Sequence, residues 1–170
     1  MQIAPPAGNT PSMAGITPIE VMLVDDSAII RGLISRAITH TPGINVVAMA
    51  SNGIEAIQLA TQFKPQIIIL DIEMPEMDGI TALPKLVAEN PNTRIIMAST
   101  LTQRNADISL KALSLGASDY VTKPSATHEE ELSNFYRELV GKIQALAKPR
   151  ALENNLANDA PKPIILAKPN

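Results

Sequence analysis

Cysteine is absent from the 170 residues. That excludes thiol catalysis, thiolate metal sites and disulfides, and it fits a reducing, cytoplasmic setting. Basic charge is also scarce. The net charge is −3 and no run of Lys or Arg occurs, so the concentrated patch that nucleic acid or an anionic membrane surface requires is missing. Long apolar runs are lacking as well. Stretches such as Ile67-Ile68-Ile69-Leu70 fall far short of the ~20 residues that span a bilayer, which argues against membrane insertion. No positive charge precedes an apolar stretch at the N-terminus, so no signal peptide is expected.

Proline is unevenly spread. Of 14 prolines, four lie at or before Pro18 and four at or after Pro149. Residues 1–18 therefore read as an N-terminal extension and 149–170 as a Pro-containing linker or tail, since their Pro, Ala and Asn content cannot build a core. Residues 19–148 remain as one domain, a size that buries roughly 70% of its unfolded surface and needs no staple.

Within that span, apolar strand and helix patterns alternate. Strands are expected at Glu20–Val24, Ile44–Ala50, Gln66–Leu70, Arg94–Ala98 and Ser118–Val121. Ser27 can cap a first helix whose buried stripe is Ile30, Leu33, Ile34, Ala37 and Ile38. Further helices are expected at Ile54–Phe63, after Gly79 and at Thr102–Leu115. The last helix opens on a Thr127/Glu130 capping box and buries Leu132, Phe135, Tyr136, Leu139, Val140 and Ile143. Five βα units with short connections predict an α/β fold, a doubly wound five-stranded parallel sheet with helices on both faces.

Sites in such folds form at the carboxyl ends of the strands. Asp25 and Asp26 end the first strand there and Asp71 the third. Three carboxylates brought together in partly desolvated surroundings repel strongly unless some are protonated or a cation sits among them. Hard oxygen donors with open water positions suit Mg²⁺. The same ion neutralises charge on a transferring phosphoryl group, and a carboxylate nucleophile yields an acyl phosphate. A strand-terminal Asp also commonly caps a helix, a role open to Asp25 or Asp26. Asp71, by contrast, precedes Ile72-Glu73-Met74-Pro75, where no helix starts. Ser99, at the end of the fourth strand, can donate a hydrogen bond to a phosphoryl oxygen. Lys123, at the end of the fifth, can pair with Asp71 and later with the phosphoryl group.

These residues, in this order, resemble the receiver domains of two-component response regulators over about Ile19 to Ala147. The motifs are Val24-Asp25-Asp26-Ser27, Leu70-Asp71-Ile72-Glu73-Met74-Pro75, Met77-Asp78-Gly79, Ser99, and Gly116-Ala117 through Tyr120-Val121-Thr122-Lys123-Pro124. The resemblance implies a flavodoxin-like (βα)5 fold and phosphorylation of Asp71 from a phosphohistidine on a sensor histidine kinase. It implies that Asp26 binds Mg²⁺ directly, Asp25 mainly through water, and Glu73 through its backbone carbonyl. Ser99 and Lys123 would contact the phosphoryl group, and Tyr120 would change rotamer as Ser99 is drawn inward. It also implies a cis bond between Lys123 and Pro124.

A narrower resemblance is to the regulatory half of the chemotaxis protein-glutamate methylesterases, the CheB family. It is carried by Arg31-Gly32-Leu33-Ile34-Ser35, Thr81-Ala82-Leu83-Pro84-Lys85-Leu86, Met97-Ala98-Ser99-Thr100-Leu101-Thr102, and Ile108-Ser109-Leu110-Lys111-Ala112-Leu113-Ser114-Leu115-Gly116-Ala117. It implies a methylesterase output domain, and chemoreceptors reached through the parent protein. The Gly-x-Ser-x-Gly-Gly nucleophile segment of such an esterase does not occur in these residues. His40 and His128 fall at a helix end and a helix start rather than in a catalytic pattern. On its own, this chain is expected to be a switch and not an esterase. Ile108, Ala112 and Leu115 mark one apolar face of the fourth helix, and Ala106, Leu110, Leu113 and Ala117 a second, which suggests an output face.

Three other functions fit parts of the pattern. A stand-alone receiver would act on a partner in trans. An Asp-nucleophile phosphohydrolase would also use Mg²⁺ and an aspartyl phosphate, but it calls for a general-acid Asp where this chain has Glu73. A receiver that never takes phosphate is hard to reconcile with the full set Asp25, Asp26, Asp71, Ser99 and Lys123.

Overall fold

The computed structural model describes residues 17–100, 103–124 and 129–147. The proposed capping box at Thr127, His128, and nearly all of the two extensions lie outside the described residues.

Among the described residues ten elements alternate: β1 (Ile19–Val24), α1 (Ala28–Thr39), β2 (Ile44–Ala50), α2 (Gly53–Phe63), β3 (Ile67–Asp71), α3 (Gly79–Glu89), β4 (Arg94–Thr100), α4 (Gln103–Ser114), β5 (Asp119–Lys123) and α5 (Glu129–Leu146). The sheet order is β2-β1-β3-β4-β5, with every neighbouring pair parallel. The order reverses between β1 and β3, so the ends of those two strands flank a crevice. The expected doubly wound fold is therefore the observed one.

The sheet is covered on both faces. Met22, Ile68, Leu70 and Met97 pack with Ala56, Ala60, Leu83, Leu86 and Ala112 of α2, α3 and α4. On the opposite face Val21, Leu23, Ile67, Ile69 and Val121 pack with Ile34 and Ile38 of α1 and with Phe135, Leu139 and Ile143 of α5. All five residues of β3 are buried, the fate of a central parallel strand. It lacks the alternation of a half-solvated strand for that reason.

The helix starts follow local chemistry. Ser27 caps α1, its Oγ accepting from Ile30 N at 3.3 Å. Asn52 and Asp78 cap α2 and α3 through Glu55 N and Thr81 N. Each oxygen satisfies one of the amide donors that a first helical turn leaves unpaired. Pro84 sits within α3 on its exposed side, where water can take the carbonyl that proline leaves unpaired.

Four expectations shift. β4 runs on through Ser99 to Thr100, and β5 runs on to Lys123, because the two extend one another through the pairs Ser99 with Thr122 and Thr100 with Lys123. Leu33 is 38% exposed and is therefore outside the α1 stripe. Ala117 is buried in the core, not on a second face of α4. No described peptide bond is cis, so the Lys123–Pro124 bond is trans; trans is the lower-energy isomer for X–Pro, and Lys123 reaches its partners without the other.

Candidate functional site

The apolar run of β1 ends abruptly in Asp25-Asp26-Ser27, and the α1 cap at Ser27 holds both carboxylates at the crevice mouth. Asp25 is buried and Asp26 exposed. Both oxygens of the Asp25 carboxylate are engaged: Oδ1 accepts from Ser27 N at 2.9 Å and Oδ2 faces the Lys123 ammonium at 2.9 Å. Its backbone is fixed from a third direction, since Arg31 Nη1 donates to the Asp25 carbonyl at 2.5 Å. Asp25 is therefore partly a backbone anchor, but neither it nor Asp26 caps α1, since Ser27 makes that cap.

Asp71 ends β3 and is only 4% exposed. One oxygen each from Asp25, Asp26 and Asp71 lie within 4.8 Å of one another. The Lys123 ammonium, carried in by β5, lies 2.8 Å from Asp71 Oδ1 as well as 2.9 Å from Asp25 Oδ2. The expected pairing of Lys123 with Asp71 is thus present, and the ammonium bridges a second carboxylate besides.

Burial pushes the Asp71 carboxyl up to about 6. Lys123 opposes that shift, and the charges of Asp25 and Asp26 add to it. Burial works the other way on the Lys123 ammonium, but its bonds and charge attraction to Asp71 and then Asp25 hold its pKa above the ordinary lysine value. One cation shared between two buried carboxylates leaves net negative charge at the mouth of the crevice.

The remaining predicted residues gather around the same point. Asp26, Asp71, Glu73, Ser99, Thr100 and Lys123 line a cleft of about 230 Å³. Ser99 is buried at the end of β4. Glu73 is exposed on the β3–α3 loop, which is pinned along its length. Ile72 N donates to Ala98 O, Met77 N to Pro75 O, Gly53 N to Met77 O and Gly79 N to Ile72 O. Glu76, at φ +63°, takes a left-handed conformation that non-glycine residues adopt only at a cost. Tyr120, on β5, is 43% exposed and is not among the residues lining this cleft.

Two contributors escaped sequence reasoning. Thr100 follows Ser99 and enters the cleft because β4 runs two residues further than its apolar pattern suggests. Arg31 sits on a helix face where the sequence offers no sign of a bond to the Asp25 carbonyl; its signal is purely tertiary.

The donor set fits Mg²⁺. It offers hard carboxylate oxygens gathered at one point, excess negative charge, and an open cleft that leaves room for water and phosphate oxygens. Asp26 and Asp71 border that cleft, and Asp25 stands behind them. Among the described residues this is the one cluster of at least three acidic, His or Cys side chains close enough to hold an ion. None of the described helices is long and apolar enough to cross a membrane.

Comparison with known proteins agrees with this geometry. Residues 21–135 match the family model for the response regulator receiver domain. Over 165 residues the chain is 46% identical to a protein-glutamate methylesterase/protein-glutamine glutaminase of Rhodopseudomonas palustris, covering 96% of this chain and 43% of that protein. The chain thus spans less than half the length of that relative. Among solved structures, the response regulator domain of Thermotoga maritima CheB superposes with a TM-score of 0.69 at 39% identity, over 78% of this chain and 98% of that one. A CheX–CheY–BeF3–Mg²⁺ complex from Borrelia burgdorferi matches with a TM-score of 0.64 at 27% identity, over 76% of this chain and 89% of that one.

Proposed function

The chain belongs to the response regulator receiver domain family and is of the CheB type, and on that premise we propose that it is a Mg²⁺-dependent phosphorylation switch whose phosphoacceptor is Asp71. The observation that carries this reading is the meeting of Asp71 with Asp25, Asp26 and the Lys123 ammonium at the sheet's crossover.

Residues 19–148 form the receiver unit in this reading. Asp26, Asp71, the Glu73 carbonyl and, through water, Asp25 would hold a Mg²⁺ ion, which would supply neutralisation of the carboxylates and of the incoming phosphoryl charge. The chain's own residues do the rest. An Asp71 carboxylate oxygen bonds to phosphorus as the P–N bond of a kinase phosphohistidine breaks, its electron pair staying with the imidazole. Burial of Asp71 limits competing water and strengthens the pull of Lys123. On phosphorylation Lys123 transfers one of its two pairings to the phosphoryl group, Ser99 donates its hydroxyl to a phosphoryl oxygen, and Tyr120 turns toward the space Ser99 vacates.

The output is control of a protein-glutamate methylesterase/glutaminase domain within a chemotaxis pathway of the cytoplasm, acting ultimately on chemoreceptors. The named relatives support this, and so does α4. Ala112 is buried and Ile108 packs against the core, while Leu110 is 64% exposed and Leu113 also stands in solvent. Apolar side chains left outside the core on α4 fit a docking face for such a domain.

The test is incorporation of labelled phosphate from acetyl phosphate and Mg²⁺, and from a phosphorylated chemotaxis kinase. Wild-type chain should label and Asp71→Asn should not, with circular dichroism unchanged. Label retained by Asp71→Asn would reject the assignment. Sustained hydrolysis of a phosphomonoester would favour the phosphohydrolase, which membership of the receiver family does not support.

A further inference from the structure

Tyr120 is held from outside by a cation. The Lys142 ammonium of α5 stands 5.8 Å from the centre of the Tyr120 ring. It is fixed there by two carboxylates, Asp119 Oδ1 at 2.9 Å and Glu138 Oε1 at 3.5 Å. Asp119 Oδ1 also accepts from Tyr120 N at 2.7 Å, so one oxygen holds both the backbone of the tyrosine and the cation over its ring.

The faces of the sheet give this contact a direction. Val121 points into the core shared with α1 and α5. By strand alternation Tyr120 projects to the opposite, α4 face, the face on which Met97 and therefore Ser99 also lie. Lys142 belongs to α5, on the far side. It reaches round the edge strand, and it meets the ring because the ring is turned outward. A ring turned in over the α4 face, toward Ser99, would leave the cation behind. The contact is thus made in one switch position and not in the other, and only such a differential contact shifts a two-state equilibrium.

We infer that Lys142 is a positioning residue for Tyr120: clamped by Asp119 and Glu138, it holds the ring outward and biases the chain toward its unphosphorylated form. This inference rests on the proposed role of Tyr120 as the residue that turns when Asp71 is phosphorylated.

Beryllofluoride with saturating Mg²⁺ is the probe. The chain has no Trp and only two Tyr, so in a Tyr136→Phe background tyrosine emission reports Tyr120 alone. Lys142→Met should bind beryllofluoride about two- to fivefold more tightly than its parent, the factor that a surface cation–π contact is worth. Lys142→Arg, which keeps the cation, should stay near the parent value. With Tyr120→Ala, followed by calorimetry, the gain from Lys142→Met should vanish. Side-chain couplings of Tyr120 in the metal-free chain should show a larger inward share in Lys142→Met. If Lys142→Met does not fold, Glu138→Gln loosens the same ammonium and should shift affinity in the same direction by less. Unchanged or weaker affinity in a folded variant, or an equal gain without the Tyr120 ring, overturns the clamp alone. Failure of the parent chain to bind beryllofluoride at all overturns the phosphoacceptor reading together with it.

Discussion

The Lys123 ammonium lies 2.8 Å from Asp71 Oδ1, with 12% of the lysine side chain and 5% of the aspartate side chain exposed. A pair this buried has given up most of its hydration, so its value lies less in net attraction than in the cost of breaking it. Lys123 also neutralises part of Asp25, and one substitution therefore strands two carboxylates.

Lys123→Met should lower the stability of the metal-free chain by about 2 kcal/mol at pH 7.5, below the usual cost of stranding a buried charge because Asp71 can take up a proton. The loss should shrink toward pH 5, where that proton is already available. Urea unfolding of both proteins in EDTA at the two pH values measures it; a loss of equal size at both would mean that packing of the lysine stem, not charge, is what was removed.

The raised pKa of Asp71 fixes the sign of a second pH effect. Its folded value of about 6 lies above the ordinary aspartate value of 3.8, so the folded chain binds the extra proton between those limits. The stability contribution is complete below about pH 4 and is lost as pH rises through about 6. Two pKa units correspond to about 3 kcal/mol, which solvent at the open cleft reduces to about 1–2 kcal/mol. Asp71→Asn, which cannot ionise, should accordingly gain about that much relative to wild type between pH 4.5 and 7.5 in EDTA. A difference that stays flat across this range would show that Asp71 titrates normally.

Gly79 is the tightest point behind the site. A Cβ placed on it would run into the Asp71 carbonyl oxygen and crowd the Ile72 Cα, both of them backbone atoms that cannot swing away. Gly79→Ala should cost about 2–3 kcal/mol. It should also weaken Mg²⁺ binding by about tenfold, because the loop carrying Glu73 must shift away from Asp71. Gly141→Ala is the control: nothing lies within 4 Å of its Cβ, and alanine within α5 should stabilise by up to about 1 kcal/mol. Thermal unfolding and Mg²⁺ titration of both variants decide the matter, and a Gly79→Ala chain with unchanged Mg²⁺ affinity would detach this glycine from the site.

Much of this site is legible in the sequence because it sits at the ends of apolar runs. Asp25, Asp26 and Asp71 each close a stretch that must be strand, and parallel strands deliver their carboxyl ends to one edge. What is not legible depends on partners far along the chain. The last residues of β4 and β5 are strand only because they pair with each other, so Thr100 comes into the cleft unannounced. Sequence spacing cannot reveal that Lys123 serves two carboxylates, that Arg31 holds the Asp25 carbonyl, or that Lys142 reaches Tyr120 across the edge of the sheet. The second apolar face of α4 was legible in outline, yet Ala117 proved to be core, since it follows the turn at Gly116 (φ +108°) and no longer obeys the helical period.

Asp26 separates the proposed metal-binding role of the cluster from a structural one. It is the exposed member of the three and borders the cleft, whereas Asp25 is tied to Ser27 and Lys123. Removing its charge relieves repulsion on Asp71, for which Asp26 is one of the charges raising the pKa. Asp26→Ala should therefore leave the metal-free chain as stable as wild type or up to about 1 kcal/mol more stable, the scale of an exposed charge interaction. It should at the same time remove most Mg²⁺ affinity, because the most accessible oxygen donor is gone. Asp25→Ala should behave oppositely in EDTA and lose stability, since the Ser27 amide and the Lys123 ammonium both lose a partner. Unfolding in EDTA with and without added Mg²⁺ distinguishes the two; a marked loss of metal-free stability in Asp26→Ala would make it an anchor of the β1–α1 turn instead of a ligand.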